Sequence, residues 1–330
     1  MNAQATVGTR ASARAPPSVP WAQTVIQRTQ LALILEVSTP KPGNVSPLSD
    51  DGRSAFPHFV ASALSLGPSL QRAIDPRQPL GDVMFQGVRD SLHAQGGGNV
   101  HLGSILLCYP IARVAATLGP TLASSEPGVP LPVGELRGMR TLLRQLIGSL
   151  TLQDTLAVFD AIQASSPGGL RPLPQSRFDA ADPDTRGRLE EADLSLQQWM
   201  ATGLHLNAIA AEYCSGFELT LTVGLPALWR LWPLGLRLAT TRCYLELLAA
   251  RADSLVAGKG GEAAAATVQR KAAELLEGSS LADPVPAEAL DGLDRWLRQE
   301  HLNPGTTADL TAAALQVGLL RGLTMPRGWH

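Results

Sequence analysis

Apolar residues recur at helical spacing along most of this chain, and the period-two alternation of a half-buried strand is absent, so the pattern predicts helices throughout. The first helix is expected over residues 21–37, with Val25, Ile26, Leu31, Leu33, Ile34 and Leu35 as its apolar positions. A second, over residues 56–66, sets Phe56, Phe59, Val60, Ala63 and Leu64 on one face and places His58 and Ser62 four apart on a shared face. Further helices are expected over 80–93, over 105–112 with a kink at Pro110, and as a hairpin over 136–150 and 152–164. Toward the C-terminus the pattern predicts helices over 199–213, 262–276 and 290–299, and one ending near Leu320. The Pro-, Gly- and Ser-rich stretch 118–135 is expected to be a surface loop. With no internal repeat and no βαβ rhythm, the fold class predicted is all-α, a single helical domain over 21–330. Residues 1–20, with Arg10, Arg14, three prolines and no acids, are expected to be a disordered tail.

Composition narrows the partners. Of 330 residues 45% are hydrophobic and the formal net charge is −2, which gives no electrostatic case for nucleic acid or an anionic membrane. No apolar run reaches the roughly 20 residues of a membrane span. Cys108, Cys214 and Cys243 are far apart without a CxxC pair, which points to reduced cysteines in a cytoplasmic protein. The expected partner is a small molecule, and so apolar a helical chain is also compatible with a homodimer.

The chemistry concentrates where glycines and charges interrupt the helices. Gln95-Gly-Gly-Gly-Asn99-Val-His101-Leu-Gly103 leads into an apolar run, with Asn99 at the expected N-cap. Such a turn exposes backbone N–H groups at a helix N-terminus, which suits a phosphate, although taken alone the glycines are better explained as a tight turn between two buried helices. In Glu36-Val-Ser-Thr-Pro-Lys41-Pro-Gly-Asn-Val45, the two prolines hold Lys41 in extended backbone and are expected to display it on a stiff loop. Glu36 closes the preceding helix, where a carboxylate opposes the helix dipole unless a cation compensates. In Leu302-Asn303-Pro-Gly305-Thr306-Thr-Ala-Asp309-Leu310, the Gly-Thr-Thr segment is expected just before a helix, with Asp309 in its first turn.

Taken together, these stretches resemble the triphosphoribosyl-dephospho-CoA synthase family. The resemblance rests on five blocks in family order. They are the Glu36–Val45 and Gly97–Gly103 segments, Pro167-Gly-Gly-Leu170 with Phe178-Asp179, Asp253-Ser-Leu-Val256 with Lys259, and the Leu302–Leu310 segment. It implies transfer of the 5-triphosphoribosyl unit of ATP to 3′-dephospho-CoA with release of adenine, through an oxocarbenium-like centre such as glycoside cleavage uses. It further implies Lys41 and Lys259 as phosphate contacts, with Gly97, Gly98 and Gly305 allowing close backbone approach and Asn303 and Thr306 also binding substrate. Glu36, Asp179 and Asp309 are the carboxylates for general base and Mg2+, Asp179 and Asp309 being the metal candidates. Asn99 and His101 would orient a phosphate or a base edge, His101 with a catalytic part.

The chain departs from the synthases of citrate lyase clusters in two places. Leu102 stands where they carry a lysine after the histidine, and Ser46-Pro47 stands where they carry an acid. In this it looks more like the family's divergent branch, known from archaea and one-carbon-metabolising bacteria. A nucleotide-using step in making a pterin or furan carrier, and a non-catalytic nucleotide-binding protein, are therefore the alternatives.

Overall fold

The computed structural model describes residues 19–325, apart from Arg53, Asn99, 124–132, 166–176, Leu206 and 279–283. Its elements are fifteen α-helices and short 3₁₀ and π segments, with no strand among the described residues beyond a single Ser46–Ser49 bridge. The helices are α1 (Val19–Ser38), α2 (Phe56–Ser65), α3 (Gly67–Ala73), α4 (Leu80–Gln95) and α5 (Leu102–Leu118). After them come α6 (Val133–Gly148), α7 (Leu152–Ser165), α8 (Thr185–Glu191), α9 (Leu196–Thr202) and α10 (Ala208–Ser215). The last five are α11 (Leu225–Leu231), α12 (Leu236–Ala250), α13 (Ser254–Glu277), α14 (Ala287–Gln299) and α15 (Gly305–Leu320).

The centre is built by α5 and α15, which are apolar on every side, and a helix of that kind is stable only when surrounded. In α5 every residue from Gly103 to Ala116 is buried, and in α15 every residue from Leu310 to Leu320. Around them pack α1, α4 and α12, and α2 and α7 cover α4. A second apolar cluster, with Tyr244, Leu248, Val268, Leu293 and Leu297, joins α12, α13 and α14.

The helix through Pro110 runs unbroken from Leu102 to Leu118. Proline lacks the N–H that would bond the carbonyl four residues back, that of Leu106. Tyr213 on α10 supplies the missing donor: its hydroxyl donates to the Leu106 carbonyl at 2.8 Å. A buried carbonyl is thereby satisfied from a distant helix.

Three expectations about elements need correction. The helix foreseen over 199–213 is two, α9 and α10, because Gly203 ends the first and Asn207 caps the second through hydrogen bonds from the Ile209 and Ala210 N–H groups. The pair foreseen as a hairpin parts company, α7 lying chiefly on α4 and α6 along α5. The helix of the last motif begins at Gly305, so Thr306 and Thr307 lie inside it and Asp309 lies one residue past its first turn. By contrast, the break before the alanine-rich helix is present, as a non-helical Gly261 (φ 84°) within α13. Residues 1–18 of the expected N-terminal tail lie outside the described residues, as does the Pro167–Leu170 motif, and α1 already includes Val19 and Pro20.

Candidate active site

A cleft of about 640 Å³, counted out to its mouth, opens where the C-terminus of α1 meets the N-termini of α5, α13 and α15. Its wall draws on four separated segments: Glu36, Asn44 and Val45; Val100 to Ser104; Leu255; and Asn303, Gly305, Ala308 and Asp309. Phe59 of α2 adds an aromatic face, and Asp51 and Ser54 complete the rim. Among the described lining residues are three carboxylates, Glu36, Asp51 and Asp309, and no lysine or arginine.

Asp309 projects from α15 onto the start of α5. Its Oδ1 accepts the Ser104 hydroxyl at 2.5 Å. Desolvation pushes its carboxyl up to about 8 against that stabilising bond, and the charges of Glu36 and Asp253 push the same way. A β-carbon at Gly103 would overlap Asp309 Oδ2, so glycine is required there by close approach.

Glu36 and Lys41 form a buried ion pair, with Lys41 Nζ 2.9 Å from Glu36 Oε1. The same ammonium donates to the Glu36 carbonyl at 2.5 Å and the Thr39 carbonyl at 2.8 Å. Two of its three protons thus go to backbone carbonyls, and the Glu36 carboxylate stands at ion-pair distance from the charge. Lys41 is therefore not displayed: its side chain is fully buried, and it compensates both the C-terminal dipole of α1 and the Glu36 charge. Burial raises the Glu36 carboxyl, and Lys41 opposes that rise.

His101 is the N-cap residue of α5, the place expected for Asn99, which lies outside the described residues. Its ring is buried, stands edge-on to Phe59 with centroids 5.4 Å apart, and bonds Ser62 through Nδ1 at 2.7 Å. Burial pushes its pKa down to about 3, so the imidazole is neutral at physiological pH. His58, the nearer histidine in sequence to Ser62, instead accepts the Ala55 N–H at 2.9 Å and caps α2.

Other expected site residues fall elsewhere. Gly97 and Gly98 are exposed and, with Gly96, end α4 in left-handed backbone (φ 81°, 106° and 87°); their conformation requires glycine, and they do not line the cleft. Lys259 is exposed on the first part of α13, and Thr306 is buried outside the lining. Asp179 is buried in the turn before α8, where Oδ1 accepts the Ala181 N–H at 2.9 Å, and it is not among the described residues that line the cleft. Asn303 and Gly305 are where the motif leads one to look, in the wall.

Asp253, in the fourth motif, closes two helices at once. Its Oδ1 accepts the Leu255 and Val256 N–H groups at 2.9 and 3.1 Å, capping α13, and its Oδ2 accepts the Thr307 N–H and hydroxyl at 2.7 and 2.8 Å. The anion held at the N-terminus of α15 is thus the protein's own. An aspartate just ahead of a helical pattern is an N-cap signature, and that signal was present in the sequence.

The profile of one protein family, CitG, described as ATP:dephospho-CoA triphosphoribosyl transferase, matches residues 22–327. The chain belongs to the CitG family. It is accordingly a transferase of the triphosphoribosyl-dephospho-CoA synthase type, with ATP as a substrate. The structure also superposes on a protein of Archaeoglobus fulgidus provisionally assigned as a triphosphoribosyl-dephospho-CoA synthase, with a TM-score of 0.61 and 23% identity over 81% of this chain and 100% of that one. At that identity the likeness establishes the all-α CitG fold. Among the described residues no helix is long and apolar enough to cross a membrane.

Proposed function

We propose that the cleft is the transfer site, where the triphosphoribosyl unit of ATP passes to the dephospho-CoA hydroxyl and adenine departs. The observation that carries this is the convergence of four of the five family motifs, far apart in sequence, on one wall. In this reading Glu36, held by the Lys41 ammonium, is the general base for the acceptor hydroxyl, and His101 faces the leaving purine. Phe59, Val45, Val100 and Leu102 offer an apolar face for a base or a pantetheine-like chain.

A triphosphate entering a wall with carboxylates and no cation needs counter-charge. Magnesium is commonly held by one or two carboxylates together with substrate phosphates. Asp309 on the cleft wall fits such a role; Asp179 is not among the described lining residues. No cluster of three His, Cys, Asp or Glu side chains suited to a metal occurs among the described residues. When bound, Mg2+ would neutralise the triphosphate; Ser104 would keep Asp309 oriented toward it.

The test is adenine release from ATP with Mg2+, with and without dephospho-CoA, in the intact protein and in Asp309→Ala. Acceptor-dependent release that falls by ~10³-fold or more in the variant is expected if Asp309 acts in the transition state. Release unchanged in the variant would remove Asp309 from the site. Because Leu102 lines the wall in place of a lysine, pterin and furan acceptors belong in the same assay.

A further inference from the structure

Behind His101 lies a pair of serines that no motif contains. Ser62 on α2 bonds His101 Nδ1 at 2.7 Å, and its hydroxyl also meets that of Ser91, on α4, at 2.6 Å. All three side chains are buried, Ser62 completely. A hydroxyl placed between two packed helices loses its water, so a site of this kind ordinarily favours alanine unless the hydroxyl has a partner that matters. Here two such hydroxyls lie in series and end on a ring that lines the cleft. The ring also meets Phe59 edge-on, one helical turn before Ser62, so α2 contacts the imidazole at two points. His101 gives no side-chain bond to its own helix, although it stands at the N-cap position.

We propose that Ser62 and Ser91 are positioning residues for His101. The Ser91 hydroxyl donates to Ser62, Ser62 donates to Nδ1, and the neutral ring keeps its proton on Nε2, as a hydrogen-bond donor to a purine ring nitrogen in the cleft. This deepens the transfer-site reading and rests on it for the identity of the ligand. The chemistry fits: a buried, neutral imidazole does not deliver a full proton to a departing base, but a fixed N–H aimed at its lone pair stabilises the charge that develops there. A ring free to exchange tautomers would present a donor for only part of the time.

Two measurements test the proposal on the full chain. The first is long-range 1H–15N NMR of the histidine rings, with His101 assigned by its loss in His101→Gln. The wild type is expected to show His101 as a single neutral Nε2–H tautomer that does not titrate between pH 6 and 8. In Ser62→Ala its two nitrogen shifts should move toward a mixture. A wild-type Nδ1–H tautomer, or shifts unchanged in Ser62→Ala, overturns the proposal. The second is a double-mutant cycle on adenine release. Ser62→Ala and Ser91→Ala are each expected to lower kcat by ~10-fold with KM for ATP within about twofold, and Ser62→Ala should add no further loss in the His101→Gln background. Losses that multiply there would mean that the serines act on packing alone. Should the wild type release no adenine with any acceptor, the transfer reading fails, while the tautomer and its response to Ser62→Ala still decide this one.

Discussion

At the scale of single residues, the two charged groups that seem alike in sequence, Glu36 and Asp309, stand in different surroundings. Glu36 has a cation against it, whereas Asp309 has a neutral hydroxyl and like charges nearby. With its folded pKa raised to about 8, Asp309 keeps a proton in the folded state over a range where the unfolded chain has lost it. The native state then binds more protons than the unfolded one, so this group's contribution to stability declines as pH rises from about 4 to about 8. Urea midpoints of the wild type and Asp309→Asn are therefore expected to diverge in the variant's favour between pH 5 and pH 8; a constant difference would contradict the burial argument. Lys41 yields a prediction of another kind. Removing one member of a buried ion pair typically costs about 3–5 kcal/mol, so Lys41→Met should be markedly less stable. Because its side chain is fully buried, with two backbone carbonyls and the Glu36 carboxylate around its charge, the variant's kcat should fall more than its KM for ATP rises. A phosphate ligand would give the opposite pattern in steady-state kinetics.

At the scale of elements, the site depends on how helix ends are closed. Asp253 accepts hydrogen bonds from the first turns of both α13 and α15 and is itself buried. Desolvation raises its carboxyl, and the four donors oppose that rise. Asp253→Ala leaves those donors without their acceptor, at a cost of roughly 2–4 kcal/mol from the loss of a cap and of charge-assisted bonds. Leu255 and Gly305, one on each clasped helix, line the cleft, so nucleotide affinity is expected to fall together with stability. Calorimetric titration of ATP beside a thermal melt would check both; a destabilised variant with wild-type affinity would separate the clasp from the site. Most helix spans were legible from periodicity because these segments are long and their breakers are Gly and Pro. The division of residues 199–213 was not, since Gly203 and Asn207 each fit within a helical pattern, and only the hydrogen bonds that Asn207 accepts from the Ile209 and Ala210 N–H groups mark the start of a second helix. The sequence pattern starts α15 late for a related reason: Gly305, Thr306 and Thr307 are poor helix formers, and the Asp253 contact overrides their preference.

At the scale of the molecule, a cleft lined by carboxylates and fed by an anionic substrate predicts a strict need for a divalent cation. ATP binding measured by calorimetry should be strong with Mg2+ and fall by ~100-fold or more in EDTA. Equal affinity in both conditions would place the triphosphate outside this cleft, toward exposed cations such as Lys259. By itself the sequence determined the all-α class, most helices and the motifs that mark the CitG family, because period, glycine turns and proline breaks are local properties of the chain. It also contained Glu36, His101, Asn303, Gly305 and Asp309, five residues that the structure gathers in one wall. What only the tertiary structure decided is direction and partnership. Lys41 turns inward because a helix C-terminus and a carboxylate already hold it, Asp179 closes its own turn, and the α15 N-terminus is filled by Asp253. The serines behind His101 come from two other helices. A residue's type states what bond it can make; which partner stands within about 3 Å depends on helices brought together by burying α5 and α15, and that packing is not a local property.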